Sequence, residues 1–483
     1  MQAQTDNTRQ QVNLNKGQRT GILIALIIGA FVAILNETLL ANALNVLMGE
    51  FNVAATTVQW LTTAYMLVVG MLIPVTALLQ KWWTTRQMFL TAMIVFLIGT
   101  IIAAIAPTFT VLLIGRIVQA LGTGLILPLL MNTILLIYPP EKRGAAMGTM
   151  GLVIVLAPSL GPSLSGVIVD YLSWQWLFYT MIPFGLIAIF IGNKFLVNVS
   201  VITKPKVDYL SILLSSIGFG GIVYGFSTSG AAGWGAPEVY GTIIVAIISL
   251  ILFTIRSLRI SNPILDLRTF KYPMFSLTVV LMIVVMMSMF ASMTLLPLFM
   301  QSVLLVTAFT SGLMMLPGSL INGLLAPISG RLFDKFGPRV LIIPGLSLVV
   351  IAMYLFSGLQ LDSTPFEIIS THMLLMIGIS LVMMPAQTFG LNQLTSDLYG
   401  SGTAIMNTLQ QVAGAVGTAL FISVMSASAT NYIETEVTDP SDPTQLLEGS
   451  LHGFETTFTL GMVISIVALI ISLFIRTKSK ENA

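Results

Sequence analysis

A run of about twenty apolar residues, the length that carries a helix across the hydrocarbon core of a bilayer, recurs fourteen times along this 483-residue chain. The runs centre near residues 33, 67, 97, 123, 157, 186, 218, 247, 288, 317, 348, 379, 415 and 464, and most loops between them are short. Helices 9 and 10 are the least clearly separated, with only residues 301–310 between them. The composition agrees: 56% of residues are hydrophobic and 8% are charged, where a soluble domain carries about 25% charged. The expected fold is all-α and integral to the membrane, with fourteen transmembrane helices. The polar residues 1–20 read as a retained cytoplasmic tail, because the apolar run after them exceeds a signal-peptide core and lacks a small-residue cleavage pattern.

The basic residues sort by side. With the N-terminus inside, every inner segment carries Lys or Arg, and the outer loops carry none. Of the 21 basic residues, Arg116 alone falls inside an apolar run. The outer loops hold acids instead, including Glu434, Glu436, Asp439, Asp442 and Glu448. Cytoplasmic loops of membrane proteins are enriched in Lys and Arg, so both termini are expected in the cytoplasm of a bacterial plasma-membrane protein. A different helix count would scramble this sorting.

Several function classes drop out. There is no cysteine, so thiolate metal sites and disulfides are excluded, and two histidines, His372 and His452, make a zinc or haem enzyme improbable. No nucleotide-binding loop of the Gly-x-x-x-x-Gly-Lys-Ser/Thr kind is present. No metal, cofactor or nucleic-acid partner is expected. What remains is chemistry at depth. Glu37 lies within the first run and Arg116 within the fourth. Ionisable groups inside the bilayer are costly and by default mark a pathway or proton relay. Counting 1.5 Å per residue from the helix ends, the two sit at similar depths, so they could pair.

An internal repeat appears at an offset of 253 residues, where the segment from Pro74 to Arg86 aligns with that from Pro327 to Arg339 and Gly161 with Gly414. Two six-helix halves are therefore expected, at residues 21–197 and 261–476, with two inserted helices at 198–260 and a second tail at 477–483. Repeated halves around a midplane site suit alternating access.

The segment Gly330-Arg331-Leu-Phe-Asp334-Lys-Phe-Gly337-Pro-Arg339 resembles the loop signature of the major facilitator superfamily, which implies that these five named residues form a gating loop. In its N-terminal counterpart Lys81 stands where the acid would be, and Thr84 and Thr85 replace the glycine and basic residue. Gly161-Pro162-Ser-Leu-Ser-Gly166 resembles the antiporter signature of drug-exporting members, with Ser165 in place of a second glycine. Arg116-Ile-Val-Gln119 resembles an Arg-x-x-Gln motif that the family implicates in proton transfer. Asn36-Glu37-Thr38, with Asn42 a turn later, resembles the helix 1 motif of fourteen-helix drug:proton antiporters, with Asn36 at the usual aspartate position and the acid moved to Glu37. The loop Thr84-Thr85-Arg86-Gln87 is similar to that of the lincomycin-resistance branch.

The resemblance implies a monomeric secondary transporter, not an enzyme: a proton-coupled exporter of amphipathic or cationic drugs and antibiotics, in contact with membrane lipids. An exporter of a lipid or envelope precursor on the same fold is the alternative. Substrate-cavity candidates are Met286, Met293, Met314, His372 and Gln410. Thioethers suit a pocket that adapts to several ligands, and they equally fill irregular helix contacts.

Overall fold

The computed structural model describes residues 15–40, 43–53, 55–58, 60–200, 202–203, 207–260, 263–437 and 443–476. Its long helices, in chain order, are α1 (Lys16–Leu39), α2 (Trp60–Trp82), α3 (Thr85–Ala104), α4 (Phe109–Ile137), α5 (Arg143–Tyr171) and α6 (Met181–Phe195). They continue with α7 (Tyr209–Ala232), α8 (Pro237–Arg259), α9 (Pro273–Ser302), α10 (Ala308–Phe336) and α11 (Arg339–Ser357). The last three are α12 (Pro365–Asn392), α13 (Tyr399–Thr435) and α14 (Pro443–Ser472). No strand occurs among the described residues. Twelve helices are long and apolar enough to cross a membrane, or thirteen with α2 as one span bent by 54° between Leu72 and Val75, the position of Pro74. A proline removes one ladder hydrogen bond and bends a helix there. The 29 residues of α5 form a further long helix outside that count.

Local signals set the ends. Thr84 accepts from Gln87 N while the Gln87 side chain accepts from Thr84 N, a reciprocal cap that starts α3. Thr364 and Glu367 start α12 in the same way. Gly337, at φ +80°, ends α10 in a conformation that costs a side chain dearly. The α9–α10 link is shorter than the sequence suggested, spanning 303–307, and turns through Leu305 at φ +55°.

Packing follows the repeat. Helix α1 packs on α4, α5 and α6, while α3 and α2 pack on α4. In the second half α12 packs on α9, α10 and α11, and α14 on α9, α11 and α13. Between the halves, α5 lies against α10 and α2 against α13. The repeat equates α5 with α13 and α2 with α10, so these two seams are copies of one contact.

The inserted pair breaks that symmetry. Helix α7 packs on both α2 and α13, with Trp60 and Tyr224 rings 5.7 Å apart and Trp234 Nε1 donating to Ser423 Oγ at 2.6 Å. Helix α8 packs chiefly on α7 and presents Ile244, Ile248, Ile251 and Ile255 outward. At the basic end Asp208 caps α7 and accepts two bonds from Arg256 of α8, at 2.8 and 2.9 Å. Those bonds, against partial desolvation and aided by Ser211, hold the Asp208 carboxyl down at about 2 instead of 3.8.

Candidate functional site

Arg116 is fully buried in α4, and the groups that accept its hydrogen bonds are neutral. Its Nη1 donates to Asn36 Oδ1 at 2.9 Å and to Gln119 Oε1 at 3.0 Å, and its Nε donates to the Leu61 carbonyl at 3.4 Å. The guanidinium carbon lies 4.2 Å from the centre of the Tyr65 ring, a cation–π contact strengthened by the absence of water. Tyr65 is held in turn by a 2.7 Å bond to Thr123, and Gln119 by a 2.8 Å bond from its Nε2 to Thr100. Arg116 Nη2 has no partner.

Asn36 rather than Glu37 therefore touches the guanidinium. No Glu37 oxygen comes within the 4.0 Å of an ion pair, and the ion pairs among the described residues lie elsewhere. A step of one residue turns a helix by about 100°, which leaves Glu37 partly buried on the neighbouring face of α1. Thr38, next on that helix, bonds back to the Leu35 carbonyl at 3.1 Å. Its hydroxyl lies where a Cβ on Gly161 would sit, at 2.1 Å. The helix 1 and antiporter segments thus touch through that glycine. Pro162 and Gly166 continue α5, and their surroundings lie outside the description, as does Asn42.

The sequence-derived gating loop closes the basic end of the seam between α5 and α10. Asp334 accepts from the Gly144 and Ala145 backbone N–H groups, at 2.9 Å each. It thereby caps the first turn of α5 from the other half, where unpaired N–H groups and the helix dipole favour an anion. Close approach is permitted by glycines. A Cβ on Gly144 would meet the Gly330 carbonyl at 2.3 Å, one on Gly148 the Ala326 carbonyl at 2.4 Å, and one on Gly151 the Met384 side chain at 2.8 Å. Arg339 donates to the Leu473 carbonyl at 3.1 Å, which ties the loop to α14, whereas Arg331 is exposed. The N-terminal counterpart turns away from the seam, with Arg86 bonding Asn193 of α6.

Sequence reading missed a residue that bridges the two halves. Arg143 is 5% exposed and reaches across the seam, donating to Asn392 Oδ1 at 2.7 Å and Tyr399 Oη at 3.0 Å. It also bonds the Tyr138 and Leu135 carbonyls of its own half. In sequence it is one of a Lys-Arg pair in a basic loop, with nothing to set it apart from a topology signal.

Of the cavity candidates, Met286, Met314 and His372 are buried, Met293 is 41% exposed, and Gln410 lines a narrow crevice with Val279, Met282, Ile283, Met406 and Leu409. Both ring nitrogens of His372 are without partners, the ring being wedged against Gly318.

Residues 26–418 match the family model of the Major Facilitator Superfamily. The chain belongs to that superfamily. This facilitator is accordingly a multi-pass membrane transporter and not an enzyme. "Lincomycin resistance protein LmrB" of Bacillus subtilis (strain 168) is 51% identical over 457 residues, covering 94% of this chain and 95% of that protein. The LmrB of Listeria monocytogenes is 49% identical over 94% of this chain and 96% of its own length. "Multidrug resistance protein B homolog" of Mycobacterium tuberculosis is 26% identical over 93% and 88%. The crystal structure of the human organic anion transporter MFSD10 (TETRAN) shares the fold, with a TM-score of 0.68 at 14% identity over 94% of this chain and 99% of that one.

Proposed function

We propose that this facilitator is a proton-coupled exporter of amphipathic or cationic drugs and antibiotics that works by alternating access. It would cross a bacterial plasma membrane fourteen times with both termini inside, as two six-helix halves and an inserted pair. The observation that carries the reading is a buried cation, Arg116, held by Asn36, Gln119, Tyr65 and the Leu61 carbonyl, with Glu37 the carboxylate on the same stretch of α1. A permanent charge in such a setting needs a counter-charge, and Glu37 supplies one only when deprotonated. Proton binding at Glu37 therefore changes the net charge of the site that joins α1, α2 and α4. Substrate arriving from the basic side would promote loss of that proton, and the halves would rock about the cavity.

Support for drugs as cargo comes from relatives named for lincomycin and multidrug resistance. The asymmetric closure at Asp334 and Arg143 supports a cycle in which the basic end seals while the other end serves release. The test is purified protein in liposomes with an imposed pH gradient. Drug accumulation that follows the gradient and collapses with a protonophore is expected, and uptake indifferent to the gradient refutes the coupling.

A further inference from the structure

Near the closed gate the halves meet across buried neutral amides whose hydrogen bonds do not close. Asn407 of α13 and Gln387 of α12 both aim an amide nitrogen at the Met131 sulfur of α4, at 2.8 and 3.6 Å, and the Asn407 nitrogen also donates to the Thr403 carbonyl of its own helix at 2.8 Å. The adjacent Asn132 donates to Gln80 Oε1 of α2. All four amides are at most 8% exposed. Yet Gln387 Oε1, Gln80 Nε2 and Thr408 Oγ1, the last beside Asn407, have no partner.

Buried polar atoms are rarely left unpaired, so several in one place call for an explanation. Thioether sulfur is a weak acceptor. Turning the Gln387 amide over would set oxygen against sulfur and orphan the nitrogen instead. The four helices belong to different halves, α2 and α4 to one and α12 and α13 to the other. When the halves part at this end, the amides lose only the weak sulfur contact and face the opening. Arg143 spends its donors on Asn392, Tyr399 and two carbonyls.

We propose that Gln80, Asn132, Gln387 and Asn407 form a recognition site for the hydroxyl and amide groups of a substrate entering from the basic side. Met131 serves as the yielding plug of the closed state. The inference rests on the exporter reading and adds a substrate class to it. A cluster that offers donors and acceptors without charge selects neutral hydrogen-bonding groups. Such a site discriminates against a ligand that lacks them, because its own polar atoms then stay unpaired.

The test compares lincomycin, which carries sugar hydroxyls and an amide, with ethidium, a lipophilic cation with neither. Gln387→Met and Asn407→Leu keep volume while removing the amides. Each lost neutral bond weakens lincomycin binding to detergent-purified protein by about 3- to 10-fold, and the pair together by about 10- to 100-fold. The ratio of lincomycin to ethidium transport in proteoliposomes falls in step. The melting temperature of Gln387→Met holds or rises, since an unpaired buried oxygen has been replaced, while Asn407→Leu gives up the bond to the Thr403 carbonyl and falls slightly. Unchanged lincomycin binding, equal losses for both compounds, or a wild-type protein that binds ethidium but not lincomycin overturns the inference. Transport of neither compound under a pH gradient, with binding still amide-dependent, overturns the exporter reading instead and leaves the recognition site standing.

Discussion

Asp334→Asn removes a carboxylate that joins the halves at the basic end. Its two oxygens accept from Gly144 N and Ala145 N at 2.9 Å each, at the first turn of a 29-residue helix. Asparagine keeps one acceptor, turns an NH2 toward the other N–H, and loses the charge. Hydrogen bonds to charged groups are worth about 1.5–3 kcal/mol, and an anion at a helix N-terminus gains about 0.3–1 kcal/mol more. Taking about 2–3 kcal/mol as the loss, the balance between closed and open basic ends shifts about 30- to 150-fold toward open. The chain has no cysteine, so single cysteines at Glu141 and Lys335 can carry spin labels that measure the α5–α10 separation directly. A closed-distance peak should give way to a longer one in Asp334→Asn, with transport slowed and abundance nearly unchanged. Lys81→Asn should leave the distribution as it is. An unmoved distance in Asp334→Asn, or equal opening in both variants, would refute the assignment of the gate to this carboxylate.

Glu37→Gln should abolish pH-gradient-driven export and leave drug binding intact but independent of pH, as read by binding titrations at several pH values. Arg116→Lys should also fail in the transport assay, because a point charge cannot serve Asn36, Gln119 and the Leu61 carbonyl together. Gly161→Val should destabilise the protein by about 1–3 kcal/mol as the new side chain drives α5 off Thr38, and Thr38→Ala should restore part of the lost melting temperature. The Asp208–Arg256 pair stabilises the inserted helices only while Asp208 is ionised. Its folded value of about 2 lies below its ordinary 3.8, so the advantage of wild type over Asp208→Asn should be complete above about pH 4 and vanish as pH falls toward 2.

The helical membrane fold was legible because lipid forces long apolar runs, and the charges on the loops added a second, independent signal. The Asp334 loop stood out in the sequence because glycine, acid, glycine and arginine at fixed spacing serve a tight turn against a helix end. Partners were not. Arg143 meets Asn392 and Tyr399, 249 and 256 residues away, and no local pattern reports such a contact. Glu37 drew attention as the charge at depth, yet Asn36 makes the bond, since one helical step decides which of two neighbours faces α4. The glycines that let the halves approach, Gly144 and Gly148, lie about four to five turns before the antiporter segment, outside any motif the sequence marked.

With α7 lying across α2 and α13, the two seams of the molecule face the lipid differently. One is shuttered along its length by a helix pinned at Trp60 and Trp234 and backed by the isoleucine face of α8. Among the described residues no helix lies across the other, between α5 and α10, in the same way. On the basic side that second seam is held shut by Asp334 and by the close glycine contacts of Gly144 and Gly148, so an opening there would face lipid instead of a covering helix.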